Sequence, residues 1–139
     1  MAFKSINPHN PYEVIGEFEE AGPYDVEIAV VRAREAFFEW RKQPASVRGD
    51  ALANIAEDVE KWAEELVHLT VTDVGKPIGE ARAEMEQAVA LLRYYAQTLH
   101  APDGETYPAS RSKDWLITRR YPLGVCALIT PPSVLGRGR

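Results

Sequence analysis

Cysteine is nearly absent from the sequence: Cys126 is the only one in 139 residues. That excludes an internal disulfide and any metal centre built from several thiolates. Long apolar runs are missing as well, and nothing approaches the roughly 20 residues that a helical membrane span needs. The opening MAFKSINPHNP lacks the apolar stretch of a secretory signal. Basic residues are not in excess, because 16 Lys and Arg face 21 Asp and Glu for a formal charge of -5. Nucleic acid and anionic membrane surfaces both require concentrated positive charge, so neither is an expected partner. The cytoplasm is the expected compartment.

What remains is an ordinary globular composition, 45% hydrophobic and 27% charged, long enough for one domain with a core. Phe3 to Ile6 and Tyr12 to Phe18 flank Asn7-Pro8-His9-Asn10-Pro11. Proline fixes φ and asparagine tolerates turn geometry, so this stretch predicts a hairpin-like bend.

From Pro23 the period becomes helical, with Val26, Ala29, Val30, Ala33, Phe37 and Trp40 on one stripe until Pro44 ends it. A second helix is expected from a Ser46 cap, on the stripe Leu52, Ile55, Val59, Trp62, Leu66 and Leu69, with Gly75 as its stop. A third follows Pro77 through Ile78, Ala81, Met85, Ala88, Leu92, Tyr95 and Leu99. Gly and Pro interrupt the stripes, which favours packed helices of a globular unit over a coiled coil.

After Gly104 the period drops to two, and Trp115, Ile117, Arg119 and Tyr121 predict a half-exposed strand. Val125 to Ile129 is continuously apolar, the pattern of a strand buried on both faces of a parallel sheet. Such a strand needs neighbours on both edges, so something outside this chain, or a second copy of it, is expected to supply them. Residues 132–139 carry no period and are expected to form a disordered basic tail, distinct from residues 1–131.

Several stretches together resemble the aldehyde dehydrogenase superfamily. They are Ile6-Asn7-Pro8, Ala36 to Trp40, Arg48 to Ala56, and Gly75-Lys76-Pro77 with Glu80-Ala81 and Glu84. Arg93 to Ala96, Tyr121 to Val125 and Leu128 to Pro131 complete the set. Each is weak alone; their order and spacing across residues 6–131 carry the likeness. The resemblance implies an α/β fold, α+β within this segment. Its parts would be an N-terminal hairpin, three amphipathic helices, a β-ribbon over about 105–121 and the first strand of an incomplete Rossmann-type domain.

In that family NAD or NADP is the cofactor, and ligands lie beyond the carboxyl ends of the strands. The resemblance therefore places Ile129, Thr130 and Pro131 beside the nicotinamide ribose, without implying tight binding by this segment alone. It also implies oxidation of an aldehyde to a carboxylic acid by a cysteine thiolate, a glutamate that activates water and an oxyanion-holding asparagine. The cysteine and glutamate lie further along a full-length enzyme. The asparagine should follow a tryptophan directly after Pro131, where Pro132 and Ser133 stand instead. The expectation is a truncated, catalytically inactive relative that forms a homo-oligomer through its helices and ribbon. The alternatives are a stand-alone interaction module, one that binds a full-length aldehyde dehydrogenase, or one half of a split enzyme.

Three tempting sites have plainer readings. Cys126 lies in an apolar run and reads as packing rather than as a nucleophile. His9, His68 and His100 lack carboxylate partners at metal-ligand spacing. Glu80 and Glu84, with Lys76 and Arg82 nearby, read as a charge-compensated helix face. Trp40, Trp62 and Trp115 are expected in a core or an interface.

Overall fold

The structure, a computed structural model, describes residues 2–130. Strands β1 (Ala2–Ile6) and β2 (Val14–Glu19) pair antiparallel, with an irregularity between Ser5 and Ile6. Four helices follow: α1 (Pro23–Trp40), α2 (Ala45–Lys61), α3 (Ala63–Val74) and α4 (Ile78–Thr98). Two short strands, β3 (Thr106–Tyr107) and β4 (Leu116–Ile117), close the order as a second antiparallel pair.

The bend predicted between the strands is built by Asn7, which is 7% exposed although polar. Its side-chain oxygen Oδ1 accepts from the His9 backbone N–H at 2.9 Å, and its side-chain Nδ2 donates to the Glu13 carboxylate at 2.9 Å. Its backbone N–H donates to the Glu13 carbonyl at 3.0 Å. The buried asparagine is thus fully partnered, as a buried polar group must be.

Helices α2, α3 and α4 form the packed layer. Its buried side chains are small or medium-sized, namely Ala56, Val67, Ala81, Val89 and Ala96. The face of α2 that turns inward carries Gly49 and Ala56, with Leu52 and Val59 half-buried. Of the stripe predicted for the second helix, Ile55 (48% exposed), Trp62 (60%) and Leu69 (52%) face outward instead. The reason is close approach: a Cβ on Gly49 would stand 2.9 Å from the Ala96 carbonyl oxygen of α4. Small residues bring the two backbones together, and the larger ones cannot share that seam.

The same element corrects the helix count. Where one helix was expected from Ser46 to Gly75, Trp62 leaves helical geometry at φ -100° and ψ 13°, so α2 ends and α3 begins. Gly75 does stop α3, in the left-handed conformation at φ 70°.

Helix α1 follows the predicted boundaries, but none of its residues is buried. Val26, Val30, Phe38 and Trp40 are each about half exposed or more. Trp62 and Trp115 are also exposed, so none of the three tryptophans is a core residue.

The ribbon is shorter than the alternation suggested, with two residue pairs between β3 and β4. Backbone bonds from Thr118 to Glu105 (2.9 Å) and from Arg120 to Asp103 (3.2 Å) prolong the pairing past the strands. Val125 to Ile129 does not form the expected strand; residues 118–130 carry no regular structure and residues 121–130 are exposed. A strand is completed by its neighbours' hydrogen bonds, and among the described residues no backbone bond to residues 125–129 is made. Cys126 is accordingly exposed rather than packed. Residues 132–139 lie outside the described residues. No described helix is long and apolar enough to cross a membrane.

Two substitutions test the seams. Alanine in place of a mid-helix glycine ordinarily gains about 1 kcal/mol, but overpacking against a backbone oxygen costs roughly 1–3 kcal/mol. Gly49→Ala is expected to lose about 1 kcal/mol net, and Gly49→Val more, in urea unfolding followed by circular dichroism. A Gly49→Ala midpoint at or above the parent's would mean that α2 does not lie against Ala96. At Gly75 an added Cβ would meet Pro8 Cγ at 2.7 Å as well as a positive φ. Gly75→Ala should cost on the order of 1–2 kcal/mol. Adding Pro8→Ala should recover the steric part only, and strict additivity of the two changes would rule out the contact.

Candidate functional site

Neighbouring turns bring together stretches far apart in the chain. Pro8, in the first bend, lies against Gly75 at the end of α3, and Ser5 of β1 hydrogen-bonds the Asp73 carboxylate. Directly after Gly75, Lys76 pairs with Glu84 of α4, and both side chains are largely buried, at 8% and 18% exposure. Glu84 is therefore the buried partner of Lys76, whereas Glu80 stays on the exposed face. An ion pair removed from water needs such close mutual satisfaction, because either charge alone would be strongly penalised there.

The third junction is Gly49 against Ala96. Four of the stretches that carry the family resemblance thus meet at these junctions, and what they do there is pack.

Two concave regions among the described residues are well formed. One, of about 330 Å³, runs between α4 and the α2–α3 pair over Ala63, Val67, Met85 and Val89. Arg93 to Glu60 (2.6 Å) and Arg82 to Glu64 (3.0 Å) bridge its rim. The hydrogen bond and then the charge of Arg82 lower the Glu64 carboxyl below the usual range, and Arg82 is raised in return. Both groups are solvated, so the pair orients a surface more than it stabilises the fold. The other region, of about 570 Å³, lies where the end of α1 and the start of α2 face the segment around Arg119 to Pro122.

The residues expected beside a nicotinamide ribose are not gathered into either. Ile129 is 97% exposed, Thr130 is exposed, and Pro131 lies outside the described residues. The described residues alone provide no cradle for a dinucleotide there. The histidines are likewise not assembled: among the described residues no group of three or more His, Cys, Asp or Glu side chains could hold a metal ion. The structure adds what sequence reasoning missed, the arginine-rich second cleft. Its arginines come from three separate stretches, and the only signal was the Arg119-Arg120 pair.

Comparison with known proteins identifies the family to which these packed stretches belong. The model of the aldehyde dehydrogenase family matches residues 1–132. Alpha-ketoglutaric semialdehyde dehydrogenase of Bacillus subtilis is 34% identical over 128 residues, which are 92% of this chain and 26% of that protein. Aminoaldehyde dehydrogenase 2 of Zea mays is 35% identical over 136 residues, covering 91% and 26% respectively. Among solved structures, betaine aldehyde dehydrogenase of Staphylococcus aureus in complex with NAD+ superposes with a TM-score of 0.74 at 31% identity. That match covers 81% of this chain and 22% of the other. The chain spans about a quarter of the length of these relatives. With the matched residues running through the hairpin, all four helices and the ribbon, the chain belongs to the aldehyde dehydrogenase family, whose N-terminal region it represents.

Proposed function

We propose that this chain provides the N-terminal layer of an NAD(P)-dependent aldehyde dehydrogenase and does not itself oxidise aldehydes. The family reaction converts an aldehyde and water to a carboxylic acid, with hydride passing to the nicotinamide. One observation carries the reading: the matched motifs meet as packing junctions, Pro8 on Gly75, Lys76 with Glu84 and Gly49 against Ala96. Cys126 is exposed on a segment without regular structure. Ile129, Thr130 and Pro131 would border the nicotinamide ribose once the rest of the sheet were present. The cytoplasm remains the proposed compartment.

A second reading has its own support. Helix α1 buries nothing while exposing Val26, Val30, Phe38 and Trp40, and Leu128 and Ile129 are nearly fully exposed. Apolar surface on that scale marks an interaction face. The chain therefore self-associates through its helices and ribbon, or covers the same faces on a full-length aldehyde dehydrogenase.

Purified chain, incubated with NAD or NADP and a panel of aldehydes, should give no aldehyde-dependent formation of the reduced cofactor above a protein-free blank. Turnover that requires the folded chain, whether or not it survives Cys126→Ser, would overturn the inactive reading. Light scattering at micromolar concentration should report an oligomer, and a clean monomer would remove the self-association claim.

A further inference from the structure

We infer that the cleft between the α1–α2 junction and residues 119–122 is a binding site for a compact, phosphate-bearing polyanion. Arg41, Arg48, Arg119 and Arg120 all line it, against a single acid, Asp103, leaving a formal charge of +3 in one concave space. That concentration is at odds with the chain as a whole, which carries -5.

Three of the four arginines are held rather than neutralised. The Arg41 guanidinium lies 5.7 Å from the centroids of both the Phe37 and Phe38 rings. Arg119 lies 5.8 Å from the Tyr121 ring and meets Asp103 at 3.9 Å, the outer edge of an ion pair. Arg48 donates to the Gln43 carbonyl, a neutral acceptor. Stacking fixes the plane of a guanidinium while leaving N–H groups at its edge free to donate. Like charges gathered in a cleft repel one another unless an anion enters.

Phosphate suits the arrangement better than a lone carboxylate. Its several oxygens can each accept a forked pair of N–H bonds, and more than one negative charge is needed to balance +3. The volume of about 570 Å³ is in the range of small-molecule sites. Trp40 and Tyr121, both in the lining and exposed, offer ring faces to any planar part of the ligand. This inference stands apart from the activity reading, because it uses neither Cys126 nor Ile129 to Pro131.

The test is calorimetric titration of the whole chain with inorganic pyrophosphate at low ionic strength. Saturable binding with one site per chain is expected. Arg120→Glu should weaken it by at least about tenfold, as expected for loss of a charge-assisted hydrogen bond. Arg119→Glu should act likewise, with helical content unchanged by circular dichroism. Lys61→Glu, which removes a cation outside the cleft, controls for bulk charge. Absence of saturable binding, or equal weakening by Lys61→Glu and Arg120→Glu, would overturn the site. Citrate binding as tightly as pyrophosphate, with the same sensitivity to Arg120→Glu, would overturn the phosphate assignment.

Discussion

The backbone-to-backbone approach of α2 and α4 at Gly49 is the constraint on which the rest of the structure depends. With no Cβ at that position, the Ala96 carbonyl comes close enough that only small side chains can fill the seam on either side. Ala56 of α2 and Ala96 of α4 are both buried, and among the described residues no large side chain is fully buried. The layer is consequently thin. Close packing gains dispersion contact along its length, but little apolar area leaves water at any one point. Junctions at its ends must therefore fix the geometry, and they do: Pro8 on Gly75 at one end, Lys76 with Glu84 beside it.

A layer of this kind has two faces. One carries the α3–α4 groove with its bridging arginine–glutamate pairs. Elsewhere α1 and the stretch from Tyr121 to Thr130 turn apolar side chains to solvent. That division is what a region of about a quarter of a larger fold should show: its own internal seams complete, its outward surfaces written for neighbours. The polar network around Asn7 belongs to the completed part, since every one of its hydrogen-bonding groups is satisfied locally.

Much of this was legible in the sequence, and the division between what was and was not follows the range of the interactions. The bend at Asn7 to Pro11, the limits of α1, the Gly75 stop and the start after Pro77 are set by local backbone chemistry, and all appear where expected. The break at Trp62 was hidden because the apolar spacing runs across it without glycine or proline. The inward face of α2 was misjudged because hydrophobicity was followed in place of size. Gly49 was the missed signal, since a glycine in mid-helix sacrifices stability unless something approaches it closely. Val125 to Ile129 reads as a strand because its composition anticipates neighbours, and composition cannot provide them. The arginine cleft was invisible for the same reason, being assembled from residues more than seventy positions apart.

The clasp between the hairpin and the end of α3 also has a kinetic meaning. Ser5 and Asp73 are 68 positions apart, and α1 and α2 lie wholly within the loop they close. Closing such a loop costs about 4 kcal/mol of chain entropy before the contact returns anything. Hairpin and helices can each form from near neighbours, whereas the clasp must wait for α2 and α3 to be in place. The first residues of the chain are thus among the last to dock, and the N-terminal strand pair acts as the seal on a layer already formed.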